Sequence, residues 1–89
     1  MNKRYFIVHG TETCPFCVRA VGLLESRNIS YVFSPLSGNQ LVETKQRLGF
    51  KTVPMIVERD IHDKDHETFI GGYSDLCSYL KTATATGDK

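Results

Sequence analysis

Two of the three cysteines in this 89-residue chain, Cys14 and Cys17, are separated only by Pro15 and Phe16 in the stretch TETCPFCVRA. Thiols this close support three chemistries. They are half of a tetrahedral zinc site, which then needs a second ligand pair. They are a structural disulfide, which persists in oxidising compartments. Or they are a reversible redox pair, in which one thiolate attacks a disulfide and the other resolves the mixed disulfide. The second pair for zinc would be His62 and His66, at H-x3-H spacing in IHDKDHE. Histidines set among Asp and Lys in a turn are more often solvated than ligating, so the zinc reading is the weaker one.

The elements that must position these thiols follow from hydrophobic period. YFIV at 5–8 is a continuous apolar run that suits a buried central strand. From Cys17 the period changes to helical: Val18, Val21 and Leu24 recur on one face, and Asn28 is the expected stop. Gly22 costs that helix about 1 kcal/mol relative to Ala. SYVF at 30–33 reads as a second strand. QLVETKQRLG reads as a second helix, with Leu41, Lys45 and Leu48 on one face and Gly49 as its stop. VPMIVE at 53–58 and ETFIGG at 67–72 are two further strands. YSDLCSYLKTA then opens a third helix, with Ser74 as the expected N-cap. The order is β-α-β-α-β-β-α, an α/β architecture. Its first βαβ unit is parallel and its final strand pair an antiparallel hairpin.

Cys14 falls where the first strand gives way to the first helix. There it meets unpaired backbone N–H groups and the positive end of the helix dipole, and both favour the thiolate. Pro15 fits the first turn, because its missing N–H has no helical partner in any case. Cys17 lies three residues on, on the same side and deeper in the helix. The spacing thus gives Cys14 the attacking role and Cys17 the resolving one. A C-x-x-C beside a βαβ pattern in a cytosolic chain reads as a thioredoxin-like redox motif.

The bulk properties narrow the setting. The chain has 40% hydrophobic and 24% charged residues and a formal net charge of +1. A single domain of this length buries roughly 60–65% of its unfolded surface and needs neither metal nor disulfide to fold. Near-neutral charge gives no footprint for nucleic acid. MNKRYFIVHG has too short an apolar run for a secretory segment, and nothing approaches a membrane span. A cytoplasmic location is expected, where a stable structural disulfide is rare. The domain is expected to occupy 1–82, with 83–89 a frayed polar tail. Cys77, inside the last helix, reads first as a small buried hydrophobe, and second as a regulatory thiol.

TCPFC, TVP and GGYSDL, in this order along nearly the whole chain, resemble the glutaredoxin family. The resemblance implies a thioredoxin-like fold, with a four-stranded mixed sheet flanked by three helices. It also implies glutathione-dependent reduction of protein disulfides and protein–glutathione mixed disulfides through Cys14 and Cys17. No permanently bound cofactor and no metal are implied, glutathione being a co-substrate. Its binding residues are implied to be Thr52, Val53, Pro54, Gly71, Gly72, Ser74 and Asp75, with Thr11, Thr13, Pro15 and Phe16 as neighbours of the thiols. Pro54 is implied to be cis and to face Cys14. The Val53 backbone is implied to bond the cysteinyl unit, and Ser74 and Asp75 to hold the γ-glutamyl end. Disulfide-bearing or glutathionylated proteins are the implied partners, ribonucleotide reductase among them, and a monomer is expected.

Three features depart from the family pattern. Phe16 stands where tyrosine is more usual. Thr11 stands where many members carry a lysine, which removes a partner for the glycyl carboxylate of glutathione; Lys45, Arg47 or Lys51 are the candidates to replace it. RDIHDKDHE lengthens the turn between the third and fourth strands. Two alternatives remain beside the main reading. One is a redoxin reduced by thioredoxin reductase. The other is an iron–sulfur carrier bridging a cluster through Cys14 and glutathione, disfavoured by Pro15 and by the second thiol.

Overall fold

Side chains along β1 (Arg4–Gly10) alternate between a buried and a half-exposed face, with Phe6 at 4% and Val8 at 0% exposure. The computed structural model describes residues 4–11, 13–62 and 66–87. After β1 come α1 (Pro15–Ser26), β2 (Tyr31–Pro35), α2 (Gly38–Leu48), β3 (Met55–Asp60), β4 (Glu67–Gly71) and α3 (Tyr73–Gly87). The strands form one mixed sheet in the order β2-β1-β3-β4. β1 pairs parallel with β2, Phe6 opposite Tyr31 and Val8 opposite Phe33. It pairs antiparallel with β3, Val8 opposite Ile56, and β3 pairs antiparallel with β4. The architecture is the thioredoxin-like one expected.

The core lies between the sheet and the α1/α3 pair. Phe6, Val8, Ala20, Leu24, Ile56, Leu76 and Leu80 form one buried cluster. Fully burying a side chain such as Leu24 or Leu76 is worth about 1.5–3 kcal/mol, which holds the last turn of α1 and the first turn of α3 in the core. α2 covers the other face more loosely and has no fully buried residue. For that reason β1, although central, is buried on one face only, against the expectation from its continuous apolar run. Arg47 of α2 reaches Glu67 of β4 at 3.2 Å, and Glu67 also faces Arg59 at 3.7 Å.

Local signals mostly fall where the residues place them. Gly49 ends α2 in the left-handed conformation, φ 68°, and Asn28 follows α1 at φ 60°. Ser74 is not the N-cap of α3, because the helix begins one residue earlier, at Tyr73. Gly72 precedes it, its carbonyl accepting from the Leu76 N–H at 2.9 Å. Helix α3 continues to Gly87, through residues expected to fray. The segment alternates Thr with Ala, the strongest helix former, and nothing breaks it before that glycine. Asp88 and Lys89 lie outside the described residues, as do Asp63, Lys64 and Asp65 of the long hairpin. Among the described residues, no helix is long and apolar enough to cross a membrane.

Candidate active site

Cys14 is the N-cap of α1, in extended backbone (φ −83°, ψ 116°), and Pro15 is the first helical residue. The Cys14 carbonyl accepts from the N–H groups of Cys17 (3.1 Å) and Val18 (3.2 Å), which fixes the first turn. All three cysteines are free thiols. Cys14 is half-buried, while Cys17 is 1% exposed in the core side of the turn. Burial first, and then the hydrogen bond with Cys14, push the Cys17 thiol up to about 11. One sulfur is therefore reachable from solvent and the other is held protonated behind it.

The Cys14 thiol donates to the Val53 carbonyl at 3.7 Å. The Val53–Pro54 peptide is cis, and Pro54 is buried. This apposition joins two segments distant in sequence, the α1 cap and the entry to β3. Beside it runs a groove of ≈ 240 Å³ lined by Phe16, Phe50, Thr52, Val53, Pro54, Gly72, Tyr73, Ser74 and Asp75. Asp75 turns back to accept the Gly72 N–H at 3.0 Å. Gly71 has φ 125°, and a Cβ there would collide with the Asp75 carboxylate, so the turn between β4 and α3 admits only glycine at that position.

Most of the residues singled out from sequence thus gather on one surface. Cys14, Phe16, Thr52, Val53, Pro54, Gly72, Ser74 and Asp75 meet there, with Gly71 behind Asp75. Thr13 is exposed in the turn before Cys14. Thr11 stands beside the thiols: its carbonyl accepts from the Cys14 N–H at 3.3 Å, and its backbone hydrogen-bonds the Cys17 thiol. It also lines a cavity of ≈ 620 Å³ with Pro35, Leu36 and Leu41, and another of ≈ 280 Å³ with Cys17, Val18 and Phe33. Of the three cations, Arg47 is engaged by Glu67, whereas Lys45 and Lys51 flank a depression that shares Phe50 with the groove. His62 and His66 are exposed, and the His62 N–H bonds the Asp60 carboxylate at 2.8 Å. Among the described residues, no cluster of His, Cys, Asp and Glu is gathered around a metal position.

A family model described as glutaredoxin matches residues 5–62. The chain belongs to the glutaredoxin family. Glutaredoxin 3 of Escherichia coli K12 is 39% identical over 71 residues, covering 78% of this chain and 77% of that protein. In fold, this glutaredoxin is similar to glutaredoxin 1 from Francisella tularensis, whose crystal structure is complexed with cacodylate. That likeness has a TM-score of 0.71 at 18% identity and covers 92% of this chain and 98% of that one. Chlamydomonas reinhardtii thioredoxin f2 is similar at a TM-score of 0.55 and 16% identity, covering 93% and 81%. As a glutaredoxin, the chain is a thiol–disulfide oxidoreductase.

Three residues of this glutaredoxin's site escaped the sequence reading. A Cβ on Gly10 would overlap the Cys17 sulfur, so the end of β1 makes room for the buried thiol. The signal was a glycine closing a strand, a mark of close approach. Phe50 packs edge-on against Phe69 (5.2 Å) and floors the groove next to Gly72. Tyr73 meets the Phe16 ring at 6.1 Å, and its hydroxyl is raised by a hydrogen bond with the Cys77 thiol. Cys77 is therefore half-buried under Tyr73 rather than lost in the core.

Proposed function

We propose that this chain uses glutathione to reduce protein–glutathione mixed disulfides and protein disulfides, with Cys14 as the attacking thiol and Cys17 as the resolving one. The observation that carries this is the groove beginning at the Val53 carbonyl, where the Cys14 thiol points, and ending at the first turn of α3. Its shape and chemistry suit a tripeptide thiol. The Val53 backbone is placed to pair with the cysteinyl unit. The first-turn N–H groups of α3 suit the γ-glutamyl carboxylate, and the Asp75 carboxylate suits its ammonium. Lys51 and Lys45 supply the positive charge for the glycyl carboxylate that Thr11 does not.

With a glutathionylated protein, the Cys14 thiolate attacks the glutathione sulfur. The protein leaves as a thiolate and takes up a proton, and Cys14 is left joined to glutathione. A second glutathione thiolate then attacks the sulfur of the bound glutathione, giving glutathione disulfide and freeing Cys14. With a protein disulfide, Cys14 takes one sulfur of the substrate. Cys17 loses its proton and attacks the Cys14 sulfur, and the second substrate thiol departs. Two glutathiones reopen the Cys14–Cys17 bond and carry off the oxidising equivalents. Such chemistry suits the cytoplasm, and ribonucleotide reductase is one protein substrate of the required kind.

The test is glutathione-driven reduction of a glutathionylated peptide by the wild type and by Cys17→Ser. Turnover by both supports the glutathione reading and confines Cys17 to protein disulfides. Failure of both, with the Cys14–Cys17 bond still able to form, rejects glutathione as donor and makes thioredoxin reductase the donor to examine.

A further inference from the structure

Arg19 lies one turn along α1 from Phe16, and its guanidinium carbon sits 5.2 Å from the centroid of the Phe16 ring. That is within the ~6 Å reach of a cation–π contact. Phe16 is itself 49% exposed and forms one wall of the groove, so the cation is held at the groove's rim. Arg19 is exposed, and among the described residues no carboxylate forms an ion pair with it. The first turn of α1 carries no acidic residue, and the positive end of that helix dipole lies at Cys14. The one carboxylate lining the groove, Asp75, is already bonded to the Gly72 N–H.

The walls of the groove include Phe16 but not Arg19. The guanidinium thus stands at the groove's rim, near enough to the Tyr73 wall for its charge to act there, and open to the polypeptide that carries the disulfide. We propose that Arg19, seated on Phe16, docks an acidic side chain flanking the target cysteine of a polypeptide substrate and so selects substrates with acidic flanks. The proposal rests on the reading of Cys14 as the attacking thiol. The ring fixes where the guanidinium stands, so little side-chain freedom is lost on pairing, and the planar fork suits a carboxylate.

The test needs no glutathione, so its outcome is separate from that of the glutathione reading. Peptides with a single cysteine carrying a thiopyridyl leaving group, flanked by Asp, Asn or Lys, are mixed with the reduced protein, and release of pyridinethione is timed. The wild type is expected to react about threefold faster with the Asp peptide than with the Asn peptide, the scale of one exposed ion pair. It should react slowest with the Lys peptide. The Asp preference should shrink as salt is raised. Arg19→Gln should abolish it and Arg19→Glu should reverse it, while all three proteins react equally with the uncharged reagent dithiodipyridine. A wild type without preference, or a preference that survives in Arg19→Gln, overturns the proposal. So does an equal slowing of every reagent by the variants, which would mean that Arg19 acts on the thiol instead of the peptide.

Discussion

The Cys17 sulfur occupies space that a side chain at Gly10 would fill, so the last residue of β1 sets how far the second thiol can retreat from the first. Gly10→Ala is expected to force that sulfur out of its seat, with Phe33 closing the other side. Reduction of a protein disulfide should fall severalfold, because closure of the Cys14–Cys17 bond depends on sulfur-to-sulfur alignment. Reduction of a glutathionylated peptide, which bypasses Cys17, should change little. Parallel assays of the two substrates check this, and equal losses in both would refute it.

The raised Cys17 thiol predicts a pH signature. With its value pushed up to about 11, chiefly by burial and next by the hydrogen bond with Cys14, it is protonated at neutral pH. Its thiolate fraction should grow about tenfold per pH unit from 7 to 9, and the rate of ring closure with it. Timing closure of a mixed disulfide on Cys14 across this range would show the slope, and Cys17→Ser would lack the phase. The same shift has a stability sign. The unfolded chain gives up this proton near 9.0 and the folded chain near 11, so stability falls as pH rises between the two. Cys17→Ser should remove that part of the decline in urea unfolding.

One observed contact and one proposed contact of Asp75 can be tested apart. Its hydrogen bond to the Gly72 N–H caps α3, and its charge is proposed to face glutathione. Asp75→Ala should cost about 1 kcal/mol of stability, as lost caps do. Asp75→Asn keeps an acceptor for that N–H and should stay near wild-type stability. Both should raise the KM for glutathione about tenfold, equivalent to ~1.4 kcal/mol, with a smaller change in kcat. An Asn variant with unaltered KM would leave Asp75 as a cap alone.

On the core face, the Tyr79 hydroxyl donates to the Glu58 carboxylate at 2.8 Å, and Arg4 approaches the same oxygen at 3.5 Å. Glu58 is only 8% exposed, whereas the Arg4 side chain is 53% exposed and offers weak compensation. Tyr79→Phe should lower stability by about 1.5–3 kcal/mol, the worth of a buried bond to a charged group. Urea unfolding with an unchanged m value would measure it.

Local rules carried far in this chain. The C-x-x-C spacing and its place before a helical period gave Cys14 the cap and Cys17 the buried position, since both follow from the first turn alone. Gly49 and Asn28 stop their helices for reasons of backbone conformation that are legible in one residue. The cap of α3 lies two positions before the expected Ser74, at Gly72, because the helix begins at Tyr73. Asp75, three residues on, closes the turn onto Gly72, and only the folded backbone shows which N–H it reaches. Thr11 sits by both thiols, as its closeness in sequence suggests, and only the fold shows that it also borders a cavity toward β2 and α2.

What the sequence determined by itself was the order of elements and the placement of Cys14 and Cys17 at the start of α1, because each depends on contacts within a turn or along one period. What the tertiary structure decided was the groove. Val53 comes to Cys14, Phe50 to Gly72 and Tyr73 to Phe16 only when β1 pairs with β3 and α3 packs against α1. Such contacts are held by strand register and by a shared core, and no spacing along the chain encodes the distance between them.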